Sequence, residues 1–342
     1  MLLITYKGTA EEGLPYTKEK KISNHFTVKQ SDLLSIDNTY GLVHINTWDK
    51  NEITVDITIT THAKTEDKAE EMLSHISVKE GSNNGDGRIS YKTTVKTVNA
   101  QNNEDFSINY TINMPRKNPI DVKNKFGDIY LGDFEGKLNL DLSYGALSAS
   151  HISGIAPKIK VAFGSATIAS IETGAIKVSY SKLSVDKAGD IVVANSFGKS
   201  DIGTVNHLEV DQQYGDIAIE SVNQLNGGVH FANLEINKLS KSADLELKYC
   251  GKADFKSITA SCDLIKIDAH FSSVYLDLAP GAGFNIDLST SFGDMKNKSS
   301  NAIELTEMQK SEHSNTHRYK GKTGKGDGTM SIKAEYGNVV FK

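Results

Sequence analysis

The 342-residue chain is poor in features that would assign it to a familiar class. Its only cysteines are Cys250 and Cys262, too few for a disulfide framework or a cysteine metal site. Two buried thiols are the favoured reading, with one bridge between them the alternative. No stretch approaches the ~20 apolar residues of a membrane helix. The start, "MLLITYKGTAEEG", has a brief apolar run before Lys7, shorter than the roughly 7–15-residue core of a secretory signal. The chain therefore reads as cytoplasmic, or as a form trimmed or started downstream. Net charge is only −5, and charged residues make up 24%, which argues against a dedicated nucleic-acid surface. Hydrophobic content is 38% and falls in short alternating pieces, whereas glycine is plentiful at 28. The length allows two ordinary domains, or one extended repeat domain with a cap.

What the chain does have is a repeat. Aromatic residues followed by a small residue recur at Phe126, Tyr144, Phe163, Tyr180, Phe197, Tyr214, Phe231, Tyr249, Phe271 and Phe292. The steps between them are 18, 19, 17, 17, 17, 17, 18, 22 and 21 residues, and glycine follows in six of the ten. An apolar residue stands four before nearly every aromatic, as at Ile176, Val193 and Val210; Gly227 is the exception. Apolar residues follow at plus three and plus five, as at Leu183 and Val185 or Ile217 and Ile219. Spacing by two is the period of a strand with one buried face. Each unit thus reads as strand, bend, strand and polar turn.

A unit of this size without a helix cannot bury its own apolar face, but stacked copies can. The spacing predicts an all-β parallel β-helix, a solenoid of about ten coils forming a rod about 50 Å long at ~4.8 Å per coil. In this reading the aromatics form a buried internal ladder. The small residue after each one takes the corner's positive φ, where glycine is unstrained. From Phe126 to Phe271 the aromatics alternate Phe and Tyr without exception. Either units were duplicated in pairs or the true coil is about 35 residues; the coil of about 17 is favoured because its interior is easier to fill.

The signature also occurs at Tyr40, with Ile36, Val43 and Ile45, and at Tyr336, with Ile332, Val339 and Phe341. Between residues 50 and 114 the character changes to long alternating strands and one helical pattern, "TEDKAEEMLSHI". Thr65 is its cap, and Ala69, Met72, Leu73 and Ile76 recur at helical spacing. The expected organisation is a flexible segment over 1–19, a β-rich cap over 20–118 with a helix near 65–75, and the solenoid over 119–342. The cap would cover an edge that otherwise invites aggregation. Residues 300–330 read as a polar, flexible insertion.

The runs "LSIDNTYGLVHINTWDKNEITVDITI", "AKTEDKAEEMLSHI" and "INYTINMPRKNPIDVKNKFGDIYLGDFEG" resemble the bacterial putative-adhesin family, related to the head GIN-domain adhesins. The resemblance covers nearly the whole chain from about residue 20. It implies a right-handed β-helix, an exported location (periplasmic, outer-membrane-associated or secreted) and no established catalytic residues.

No catalytic, cofactor-binding or metal-ligating residue is assigned from the sequence. Asp128, Asp216 and Asp294 share one position after the corner, but about five coils apart they read as solvated turn residues rather than a carboxylate site. His313 and His317 have metal-ligand spacing in a polar loop that lacks the acidic partner of a metalloprotease motif. "THRYKGKT" lacks the first glycine of a phosphate loop, and "KTGKGDG" never recurs as calcium repeats do. The expected function is a non-enzymatic adhesin-like scaffold for a cell-surface protein or glycan, with an apolar interior. No three ionisable side chains are expected to converge on its flank. The rivals are a carbohydrate-active β-helix enzyme and a polymer-forming solenoid.

Overall fold

The computed structural model describes residues 15–83, 87–96, 104–299, 303–311 and 315–342. The fold is all-β: among the described residues strand makes up 71%, with a single helix, and the strands join in one open sheet. That helix, Glu66–Ser74, falls where the pattern places it. The Thr65 hydroxyl accepts from the Lys68 amide at 3.2 Å, Ala69 and Met72 are buried, and the Thr61 hydroxyl donates to the Ala69 carbonyl at 2.8 Å.

The repeating part pairs in parallel and in register. Ser165 lies beside Lys182, Leu183 beside Ser200, Ser200 beside Ile217, and Ile217 beside Leu234. The register therefore advances by 17 residues per unit, which removes the 35-residue alternative. Inside most units the positions at minus four, plus three and plus five are apolar and buried, as at Ile176, Leu183 and Val185. Each such side chain contributes about 1.5–3 kcal/mol on leaving water.

The interior is mostly apolar, with polar residues at the corners. Asn124 donates through Nδ2 to the carbonyls of Gly41 and Gly127, each at 2.9 Å. Gln212 donates to those of Gly198 at 2.9 Å and Gly215 at 3.2 Å. These amides satisfy corner carbonyls that the strand ladder leaves free, which is what allows them to be buried.

At the N-terminal end, Tyr16–Thr27 pairs antiparallel with Glu52–Ala63, which pairs antiparallel with Asp105–Pro115. The first strand thus begins inside the segment 1–19 expected to be flexible. Its run "TKEKK" places charge on an edge strand, a common guard against edge-to-edge pairing.

The C-terminal end departs from sequence order. Gly328–Glu335 lies parallel between Leu264–His270 and Phe284–Ser291, so the last unit is inserted between two that precede it. The stretch after residue 300 is not a loose insertion: Ile303–Ser311 and Thr316–Thr323 pair as antiparallel strands, and the second also pairs with Phe284–Ser291.

Candidate functional site: an exposed aromatic ladder

At every corner the aromatic residue itself has positive φ, between 50° and 65° for all twelve from Tyr40 to Tyr336. This corrects the assignment of the strained torsion to the following glycine. The small residue is needed for another reason. A Cβ on Gly164 would lie 1.9 Å from the Gly145 carbonyl oxygen, and one on Gly198 would lie 1.9 Å from that of Ser181. At these glycine corners the backbone stacks directly on the carbonyl of the neighbouring corner, leaving no room for a Cβ, whereas other corners fit the small side chains of Ser181, Ala232, Cys250 and Ser272.

The left-handed residue also shifts the alternation by one. Before the aromatic, even positions face inward; after it, odd positions do, as in the buried run Ile176, Val178, Ser181, Leu183, Val185. The aromatic at the switch consequently points out. All twelve rings are 39–54% exposed, so the expectation of a buried ladder is wrong. The rings do stack. Phe197 lies 4.8 Å from Tyr180 and 4.7 Å from Tyr214, with planes within 4° and 0°. The steps along the row range from 4.6 to 5.1 Å. That is the spacing of neighbouring strands, so the sheet sets the stack.

In space the ladder runs Tyr40, Phe126, Tyr144, Phe163, Tyr180, Phe197, Tyr214, Phe231, Tyr249, Phe271, Tyr336, Phe292. Tyr336 arrives from the inserted last unit and separates two phenylalanines consecutive in the repeat. Phe and Tyr thus alternate over the whole row. Each ring hides its faces against its neighbours and shows water its rim, with a hydroxyl at every second position. With about half of each ~150–250 Å² side chain exposed, the row presents on the order of 1,000 Å². The largest apolar patch of a typical monomer is about 300–600 Å².

The acidic residues after the corners serve the backbone. Asp128 accepts from the Ala146 amide at 2.8 Å, and Asp216 from the Asn233 amide at 3.2 Å and its side-chain nitrogen at 2.9 Å. Asp294 accepts from the Tyr319 hydroxyl at 2.5 Å. Burial, reinforced by that carboxylate, pushes the Tyr319 hydroxyl up to about 12. His317 lies 3.7 Å from Asp294, and His313 lies outside the described residues. Among the described residues no three His, Cys, Asp or Glu side chains are grouped to hold a metal. Cys250 and Cys262 are buried and free, the former in a corner's small-residue slot.

Ionisable groups do converge on the flanks, contrary to expectation. Asp254 is paired with Lys252 at 2.6 Å and with Lys342 from the inserted unit, and both ammonium groups lie over the Tyr275 ring. Burial alone would raise the Asp254 carboxyl, but the two lysines outweigh it and hold it below the usual carboxylate range. Asp201 is depressed by the same balance, burial against Lys199 and Lys182. A carboxylate kept ionised between lysines is a clamp. A general acid needs the opposite shift.

Sequence reasoning missed the outward turn of the rings and the lysines beside them, although the parity change at each aromatic carried the first signal.

No family model and no curated protein matches the chain. Among solved structures it is similar to a putative cell adhesion protein from Clostridium sporogenes, at 12% identity and a TM-score of 0.19, covering 95% of this chain and 99% of that one. It is similar to a putative adhesin from Bacteroides fragilis, at 12% identity and a TM-score of 0.25, covering 94% and 97%. It is also similar to a putative lipid binding protein from Parabacteroides distasonis, at 9% and 0.26, covering 96% and 98%. Superposition at these scores does not define a shared fold.

Proposed function

We propose that the protein is a non-enzymatic, adhesin-like binding scaffold, exported or held at the cell envelope, whose recognition surface is the aromatic ladder. The architecture in this reading is a right-handed parallel β-solenoid over residues 119–342, capped by residues 20–118. Parallel pairing at 17-residue steps supports the solenoid, and the strong preference of parallel strand connections for one hand supports its handedness.

One observation carries the functional reading: a continuous apolar row exposed over on the order of 50 Å, from Tyr40 to Phe292. Patches of that size on a soluble chain mark contact surfaces. A straight track of identical spacing suits an extended partner on a cell surface, protein or glycan. The same corners could have been built with asparagine or glycine, which tolerate positive φ better than phenylalanine or tyrosine.

The test uses that tolerance. Tyr180→Asn, Phe197→Asn and Tyr214→Asn, combined in the full chain, keep residues suited to the torsion and remove the apolar rim. Beads coated with this variant should be retained on mucin or cell-wall polysaccharide at least about tenfold less than wild-type beads, with unchanged circular dichroism. Equal retention would exclude the ladder as the binding surface. Release of reducing or unsaturated sugars from the coating by wild type would exclude the non-enzymatic reading.

A further inference from the structure

Along the middle of the ladder lysines are locally in excess, although the chain as a whole is acidic and the same register column carries Asp141 and Asp211 farther along. Lys160 and Lys177 are direct neighbours in the parallel register, both exposed, with Lys158 on the same strand face. Asp141 is the register neighbour of Lys160 on its other side, and no carboxylate stands directly opposite Lys177 or Lys158. Like charges directly opposite one another in a sheet are destabilising, so the isolated protein gains nothing from this arrangement. Across the ladder, Lys182 lies beside Lys199, and the two share the single carboxylate of Asp201 at 3.5 and 2.8 Å. Phe163, Tyr180 and Phe197 therefore run between two basic flanks. On the Lys160 side, the position just before each ring from Tyr144 to Phe197 holds only Ser143, Ala162, Ser179 or Ser196, side chains much shorter than the rings beside them.

The track also has a period. Tyrosine hydroxyls recur at every second ring, roughly 10 Å apart at two strand spacings. An extended peptide strand repeats its side chains at about 6.7 Å and an α-helix at about 5.4 Å, so both drift out of step within a few rings. A polyproline II helix, at about 9.3 Å per turn, comes nearer. Polyproline itself is uncharged, however, and the ring faces such a helix would pack against are closed by stacking. An extended 1,4-linked β-glycan turns over at every second sugar, and its disaccharide repeat is close to two strand spacings. Rims, alternate hydroxyls and lysines offer it hydrogen bonds and charge rather than ring-face stacking.

We infer that the Tyr144–Phe197 stretch binds an extended acidic polysaccharide lying along the ladder, its sugars over successive rings and its carboxylates between the two lysine flanks. This rests on the ladder being the recognition surface and adds the ligand class and its position.

The experiment is calorimetric titration of the full chain with two acidic 1,4-linked β-glycans, carboxymethylcellulose and polymannuronate, at low and physiological ionic strength, against hydroxyethylcellulose and a polyproline peptide. Wild type should bind at least one acidic polymer, more weakly at higher salt, and neither control polymer. Lys160→Gln with Lys177→Gln should weaken binding about tenfold. Tyr144→Phe with Tyr180→Phe, which removes only hydroxyls, should weaken it several-fold. Lys187→Gln with Lys238→Gln, off the ladder, should leave it unchanged. Lack of binding to both acidic polymers would overturn the inference, as would equal loss in the off-ladder variant or a preference for the neutral glucan or the peptide. If that happens while the triple asparagine variant still abolishes bead retention, the ladder remains the recognition surface and only the acidic ligand is wrong.

Discussion

Replacing Phe197 separates the two things its position does. The side chain is 47% exposed and stacked on Tyr180 and Tyr214, at φ 59°. About half of a ~200 Å² ring leaves water on folding, worth about 2.5 kcal/mol at ~25 cal/mol/Å². The ring pairs account for much of that burial, so the contributions overlap. Phe197→Ala should therefore cost about 2–3 kcal/mol, below the ~3–5 kcal/mol of a fully buried phenylalanine. The backbone supplies the sharper test. Alanine keeps the strain of a left-handed torsion, about 1–2 kcal/mol, and glycine does not. Glycine loses more chain entropy, about 0.5–1 kcal/mol. The balance inverts the usual order in a strand, and Phe197→Gly should be more stable than Phe197→Ala by up to about 1 kcal/mol. Urea unfolding at matched m-values, with hydrogen exchange of the 182–213 amides as a local readout, measures the difference. A glycine variant less stable than alanine by about 0.5 kcal/mol or more would refute the left-handed corner and the outward ladder with it.

Other consequences follow from the same geometry. Gly164→Ala puts a Cβ 1.9 Å from the Gly145 carbonyl oxygen and should destabilise by about 3 kcal/mol or more in urea unfolding. Ser181→Ala, in the equivalent slot, loses only the bonds of its hydroxyl to the Gly164 amide and the Ser179 carbonyl, about 1 kcal/mol. Asp254 is depressed, so its contribution is complete above the ordinary carboxylate range and is lost as pH falls through its lower folded value. Amides of 328–341 should lose exchange protection in that acid window, and Asp254→Asn should remove the pH dependence. Burial, opposed by a hydrogen bond from Asn24 to Tyr91 and one between Thr93 and Tyr110, pushes both tyrosine hydroxyls up to about 12. Their neutral forms stabilise the fold below about pH 10, and that stability should fall between there and about 12 in an absorbance-monitored alkaline titration.

Much of the fold was legible because strand stacking forces a sequence period, and a period survives even where single residues vary. The helix was legible from its cap and spacing. The ladder's side was misread for a physical reason. Counting inward positions in twos from Ile176 and Val178 lands on Tyr180, and an aromatic residue there is naturally placed in the core. Counting back in twos from Val185 and Leu183 lands on Ser181 instead. The two counts disagree by one residue, and a strand can lose a count only where the backbone leaves the extended region. The contradiction was present in most units, the Tyr249 unit being an exception, and located the left-handed residue. The preference of glycine for positive φ hid it, because glycine stood next door and offered an easier explanation. The lysine flanks could not be read at all without the register, since Lys160 and Lys177 become neighbours only when one unit is laid on the next.

The alternation of Phe and Tyr carries the argument one step further. Duplication of paired units would produce alternation along the chain, and along the chain it breaks at Phe271 and Phe292. In space it does not break, because Tyr336 from the inserted last unit lies between them, 4.6 and 4.7 Å from their rings. A copying history cannot know that the final unit will be threaded between two earlier ones. The order is therefore a property required of neighbouring rings. Two causes act between neighbours: parallel hydroxyl dipoles one strand spacing apart repel, or a ligand reads every second hydroxyl. They separate in a single variant. Phe163→Tyr adds a hydroxyl between those of Tyr144 and Tyr180 without removing any apolar rim. If dipole repulsion sets the order, urea unfolding should show lost stability with polysaccharide affinity unchanged. If the ligand sets it, stability should hold and affinity for the acidic polymer should change. No change in either would show that the alternation serves neither purpose and would remove the period from the case for a glycan.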